Sequence, residues 1–137
     1  MRSPGFNLWL QIALGILLGV GALLARRGWY RTHGACQATA YLITVVMTTI
    51  WMLPVFLKFF APSHLRASLD RADAVATAHA ALGSAVLLLG GYVILVAATN
   101  VVPSRFRFNN YRRWMRSLLA LWWSTILLGI WTYIVST

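Results

Sequence analysis

Four long apolar runs separated by three short polar stretches set the pattern of the chain: about Leu8 to Ala25, Cys36 to Phe60, Ala74 to Thr99 and Trp114 to Val135. Each meets the roughly 17 to 25 residues that an α-helix needs to cross the hydrocarbon core of a bilayer. In lipid a run of this kind must satisfy its own backbone groups, which a helix does. The pattern therefore predicts an all-α fold: an integral membrane four-helix bundle, with residues 1–137 forming a single transmembrane domain.

Composition agrees. A chain of 137 residues that is 60% hydrophobic and 10% charged cannot place its apolar side chains inside one water-soluble core. The net charge of +10 brings nucleic acid to mind, but a nucleic-acid binder gathers its basic residues on a solvated face, and here they lie in the gaps between apolar runs. Arg26, Arg27 and Arg31 occupy the first gap, and Arg105, Arg107, Arg112, Arg113 and Arg116 occupy the third gap and the start of the fourth run. The other side has Arg2, Lys58, Arg66 and Arg71, partly offset by Asp70 and Asp73, so the basic bias is eight against four. The positive-inside rule then puts both termini outside and the two arginine-rich loops in the cytoplasm. The first run is long for a signal peptide, has no A-x-A-like site and is followed rather than preceded by positive charge, so it is expected to be a helix.

Within the helices, Gly15 and Gly19 form a small-xxx-small pair, and Gly21 adds to the thinness of that side; the small-residue run ADAVATAHAALGSA, which contains Gly83, makes helix three a thin rod. These are expected packing positions. Trp29 and Tyr30 suit one headgroup belt, and Trp51 with Phe56, Phe59 and Phe60 suits the other. Pro54 leaves the Ile50 carbonyl without its helical donor, which predicts a kink near Ile50 with Thr48 and Thr49 available to the loosened backbone. Trp122 and Trp123 fall near mid-membrane, where each indole N–H needs a partner, so they are expected to face a neighbour rather than lipid.

Candidate chemistry is sparse. His79 is the ionisable side chain placed inside a membrane helix, a functional-site hypothesis that competes with a neutral imidazole bonded to a threonine or a carbonyl. His33 sits at the inner water boundary beside arginines and is expected to be solvated or in contact with phosphate. At 1.5 Å per residue the two are separated by on the order of 25 Å, too far to share a haem in one chain. Met52 is near His79 in depth, so a His–Met haem site is conceivable, although methionine more often fills a core. Asp70 and Asp73 suit the start of helix three, and a metal site there needs His64 and His79 to converge on them. Cys36 is the only cysteine and is expected to be packed and inert. The third gap, where Phe106, Phe108 and Tyr111 alternate with arginines, suits anionic headgroups or an acidic loop of a partner protein.

The segment YRRWMRSLLALWWSTILLGIWTY, from Tyr111 to Tyr133, resembles the closing segment of the domain-of-unknown-function 420 family of small four-helix bacterial membrane proteins. Trp122, Gly129 and Tyr133 reproduce a spacing of that family, and His33 and His79 stand where it usually has histidine. Tyr111 replaces a third histidine. The resemblance implies a bacterial inner (cytoplasmic) membrane protein related to the maturation of haem–copper oxidases, and Tyr111 weakens a role in handling metal. The expected function is a non-catalytic accessory subunit or assembly protein of a larger membrane electron-transfer complex, with no cofactor, catalytic set or soluble substrate of its own. The alternative is a small haem-binding electron carrier using His79, with His33 the next candidate ligand. An enzyme has little support, since no nucleophile with a paired base, phosphate loop or acid pair is present.

Overall fold

The computed structural model describes residues 4–60 and 71–136. His64, Asp70 and most of the second connection lie outside the described residues. Four rods form the fold: α1, Pro4–Arg26; α2, residues 30–60; α3, Arg71–Ala98; and α4, Tyr111–Ser136. All four are long and apolar enough to cross a membrane, as expected of a multi-pass membrane protein. No strand occurs among the described residues.

The rods begin three to six residues earlier than the apolar runs predict, because the polar residues that precede each run are also helical and hydropathy alone does not register them. The first turn illustrates how little chain is needed between them. Trp29 N–H donates to the Leu24 carbonyl at 3.0 Å and Gly28 N–H to the Ala25 carbonyl at 3.1 Å. This is a Schellman end, and it places Gly28 at φ 81°, a conformation that glycine adopts without a Cβ penalty. Helix α2 starts at once at Tyr30, which brings His33 into its first turn.

Helix α2 does not break at Pro54. It runs as α-helix over Tyr30–Met47, widens to π geometry over Thr48–Met52, returns to α over Leu53–Val55 and widens again over Phe56–Phe60. The Leu53 N–H reaches five residues back to the Thr48 carbonyl. The missing amide of Pro54 is thus absorbed by a wider turn, a common solution where one helical bond is lost. Neither threonine serves the Ile50 carbonyl: the Thr49 hydroxyl donates to Val45 O at 2.9 Å and the Thr48 hydroxyl to the Met52 sulfur at 3.8 Å.

Packing contacts give an up-down-up-down arrangement. Gly21 abuts Cys36 and Gln37 across α1 and α2, Gly83 abuts Thr125 across α3 and α4, and Gly15 abuts Ile126 and Trp123 across α1 and α4. The central core cluster consists of Leu14, Leu18, Ala40, Val86, Trp122 and Ile126, and Ala76, Val93 and Val96 of α3 are buried as well. Tyr41 of α2 lies over the Gly90–Gly91 step of α3 and donates its hydroxyl to Leu87 O at 3.1 Å. Outside this core the surface is strongly apolar, with Trp9 72% and Leu88 76% exposed.

Candidate functional site

One level of the bundle draws a polar or sulfur group from every rod. Gln11 of α1 donates its amide to the Met52 sulfur of α2 at 3.9 Å, and Thr48 donates to the same sulfur. His79 of α3 donates from Nδ1 to the Thr125 carbonyl of α4 at 3.0 Å. A carbonyl only accepts, so the Nδ1 proton is fixed and the neutral ring keeps its lone pair on Nε2. Gly129 of α4 makes the layer possible: a Cβ there would lie 3.0 Å from His79 Cε1 and 3.1 Å from Gln11 Oε1. The imidazole and the amide therefore share the space that glycine leaves open.

His33 occupies a separate place. It is half-buried rather than solvated, and its Nδ1 donates to the Gly21 carbonyl at 2.8 Å. Beside it, the Gln37 amide donates to Leu18 O at 3.4 Å. From Gly21 to Gln11 along α1 is about 15 Å at 1.5 Å per residue. This is less than the separation expected from the apolar runs, because His33 and His79 lie deeper than the late predicted helix starts imply. The separation still exceeds what two axial ligands of one haem allow. The Met52 sulfur is engaged by Gln11 and Thr48, and among the described residues no three His, Cys, Asp or Glu side chains come together.

The arginine-rich connection is more ordered than its composition implies. Residues Ser104–Phe106 form one 3₁₀ turn. Arg107 folds back beneath α3 and donates to Val96 O at 2.6 Å and Thr99 O at 2.9 Å. It is therefore a helix cap inside the chain. The Arg105 guanidinium lies 4.8 Å from the centre of the Phe106 ring. The remaining aromatics pack on each other: Phe108 is 4.7 Å from Tyr111, 5.2 Å from Trp114 and 5.7 Å from Tyr92, centre to centre. Tyr92 donates its hydroxyl to the Phe106 carbonyl. Arg112, Arg113 and Arg116 are exposed and line an open cleft of about 280 Å³ with Asn110 and Ser117.

The deep tryptophans separate. Trp122 is 6% exposed and belongs to the chain's own core. Trp123 is 36% exposed, with the far edge of its ring beside Gly15. Of the glycines expected to pack, Gly15 and Gly83 meet α4, whereas Gly19 has no neighbour within 4 Å of the position a Cβ would take. Sequence reasoning passed over Gln11, Tyr41 and Gln37. Gln11 is a polar residue within an otherwise apolar run, and Gln37 and Tyr41 share a helix face at i, i+4 spacing, signals that would have found them. A cleft of about 70 Å³ lies between the start of α1 and the first π segment, with Asn7, Leu10, Met47 and Trp51 among its lining. The Asn7 Oδ1 there is buried without a partner among the described residues.

Compared with protein-family models, curated proteins and solved structures, the sequence has no match.

Proposed function

We propose that the chain is a non-catalytic accessory subunit or assembly protein of a larger membrane electron-transfer complex, of the respiratory oxidase type or a related bioenergetic one, in the bacterial inner membrane. The observation that carries this reading is the uneven packing of the four spans. In α2 only 6% of the most apolar stretch is buried inside the chain, against 22% in α1 and in α3. A 29-residue span with so little cover of its own, widened twice around Pro54, offers a long face to a neighbouring helix. Exposed Leu42, Val46 and Ile50 mark that face. The resemblance carried by Trp122, Gly129 and Tyr133 supplies the class of complex. Trp122 and Gly129 also have packing roles here, in the core and against His79.

A photo-crosslinking residue at Leu42 or Val46, followed by gentle detergent extraction, size separation and mass spectrometry, tests the reading. The expected result is a crosslink to a subunit of a large redox complex and co-migration with it. Recovery of the chain alone, crosslinked only to lipid, would remove the proposal.

The second reading, a haem-binding electron carrier, draws on the Nε2 of His79, the ring nitrogen that does not bond Thr125. Among the described residues no second ligand for a haem stands beside His79, since His33 lies on another level and the Met52 sulfur already accepts two donors. A second ligand would have to come from outside the described residues or from another chain. A Soret band in the isolated protein that disappears in His79→Ala, with the helical content unchanged, would favour this reading over the first.

A further inference from the structure

We propose that Arg112, Arg113 and Arg116, with Asn110 and Ser117, form a receptor for the headgroup of a phospholipid bearing two phosphates. The proposal rests on the membrane placement of the chain and not on its partner complex, so it stands or falls on the isolated protein.

Of the five arginines near this end of α4, two are committed within the chain: Arg107 to the last carbonyls of α3 and Arg105 to the Phe106 ring. The other three are set by helix geometry. Arg112 and Arg113 each meet Arg116 at i, i+4 and i, i+3, so three guanidinium groups gather on neighbouring faces of the first turns. They border one open cleft of about 280 Å³. None makes an ion pair or a side-chain hydrogen bond among the described residues.

Among the described residues no carboxylate stands near these arginines. The whole sequence has two acidic residues, Asp70 and Asp73, and Asp73 lies in the first turn of α3, at the opposite end of the bundle. Three like charges held this close repel one another, so an anion from outside is favoured in proportion. The site is also preorganised. The Phe108, Tyr111, Trp114 and Tyr92 rings lock the connection to α3 and α4, and the Asn110 side chain accepts from Arg113 N–H at 3.2 Å. Affinity is therefore not spent on ordering a loop.

Depth identifies a lipid as the source of the anion. Tyr111 and Trp114, each 39% exposed, stand beside the cleft, and aromatic residues of this kind lie at the headgroup level of a bilayer. Arginine forks match phosphate oxygens two at a time, and three of them match two phosphates better than one. Basic pockets at helix ends on this side of a membrane take such headgroups.

The test uses the full chain in phosphatidylcholine nanodiscs containing either cardiolipin or phosphatidylglycerol at equal phosphate content, with retained lipid counted by native mass spectrometry. Wild type is expected to retain cardiolipin in preference to phosphatidylglycerol. R112Q/R113Q/R116Q is expected to bind cardiolipin on the order of 100-fold more weakly, from roughly three basic contacts near the surface. R26Q/R27Q/R31Q loses the same charge at the same end of the bundle and is expected to keep the preference. Equal losses in the two triple variants would show diffuse attraction and overturn the proposal. Displacement of cardiolipin by an equal concentration of sodium pyrophosphate would make the ligand a soluble anion and overturn it too. An unchanged elution profile shows that each variant is folded.

Discussion

A methyl group added at Gly91 would lie 2.7 Å from the Tyr41 hydroxyl, while one added at Gly19 meets nothing within 4 Å. Two glycines in similar apolar helices therefore have opposite sensitivities. Gly91→Ala must displace the ring that donates to Leu87 O, and it is expected to cost about 1 to 3 kcal/mol through overpacking and the lost bond. Gly19→Ala is expected to be neutral or to stabilise by up to about 1 kcal/mol, since alanine is the better helix former. Thermal unfolding in detergent, followed by helical signal, measures both. In a Tyr41→Phe background the clash at residue 91 is relieved, leaving the ring carbon at an ordinary 3.5 Å, so most of the cost of Gly91→Ala should vanish there. A cost unchanged by that second substitution would show that the hydroxyl is not what the glycine accommodates. The Gly15–Gly19 spacing was visible in the sequence, but not which glycine meets a neighbour. That is decided by Ile126 and Trp123, more than a hundred residues away in the chain.

At the scale of elements, the sequence showed the four rods and their order and missed how their ends are finished. The last carbonyls of a helix lack partners unless something supplies donors. For α3 the donor is Arg107, with two charge-assisted bonds made possible by the turn at Ser104–Phe106. Arg107→Gln is expected to cost about 1.5 to 3 kcal/mol and to raise hydrogen exchange from Val96 through Phe106. Arg105→Gln removes only a contact with an exposed ring and is expected to cost at most about 1 kcal/mol. Matching exchange profiles in the two variants would mean that Arg107 does not cap the helix. In the sequence these arginines were five equivalent charges, because composition reports residue types and not the direction in which a loop turns. Pro54 was legible in part for a similar reason. Its missing amide was evident, but whether the helix would bend or widen depended on the register taken by Leu53 and Thr48.

For the whole molecule, apolar patterning accounts for the four spans, and the contacts of Gly21 with Gln37, Gly83 with Thr125 and Gly15 with Ile126 fix their alternating direction. Which end faces the cytoplasm is a matter of charge. The eight arginines of the first and third connections and their flanks lie at one end, since Arg26 closes α1 while Arg112, Arg113 and Arg116 open α4. By the positive-inside rule we propose that this end is cytoplasmic. Single cysteines in a Cys36→Ser background test this with a membrane-impermeant maleimide on intact cells and on inverted vesicles. Ala74→Cys, exposed in the first turn of α3, should label on intact cells. Ser104→Cys, exposed in the connection between α3 and α4, should label only in inverted vesicles. The reverse pattern would turn the bundle over and leave the arginine cleft facing the outer leaflet. Labelling of both sites from one side would contradict the alternating bundle itself, because 74 and 104 stand at opposite ends of the same membrane-crossing rod.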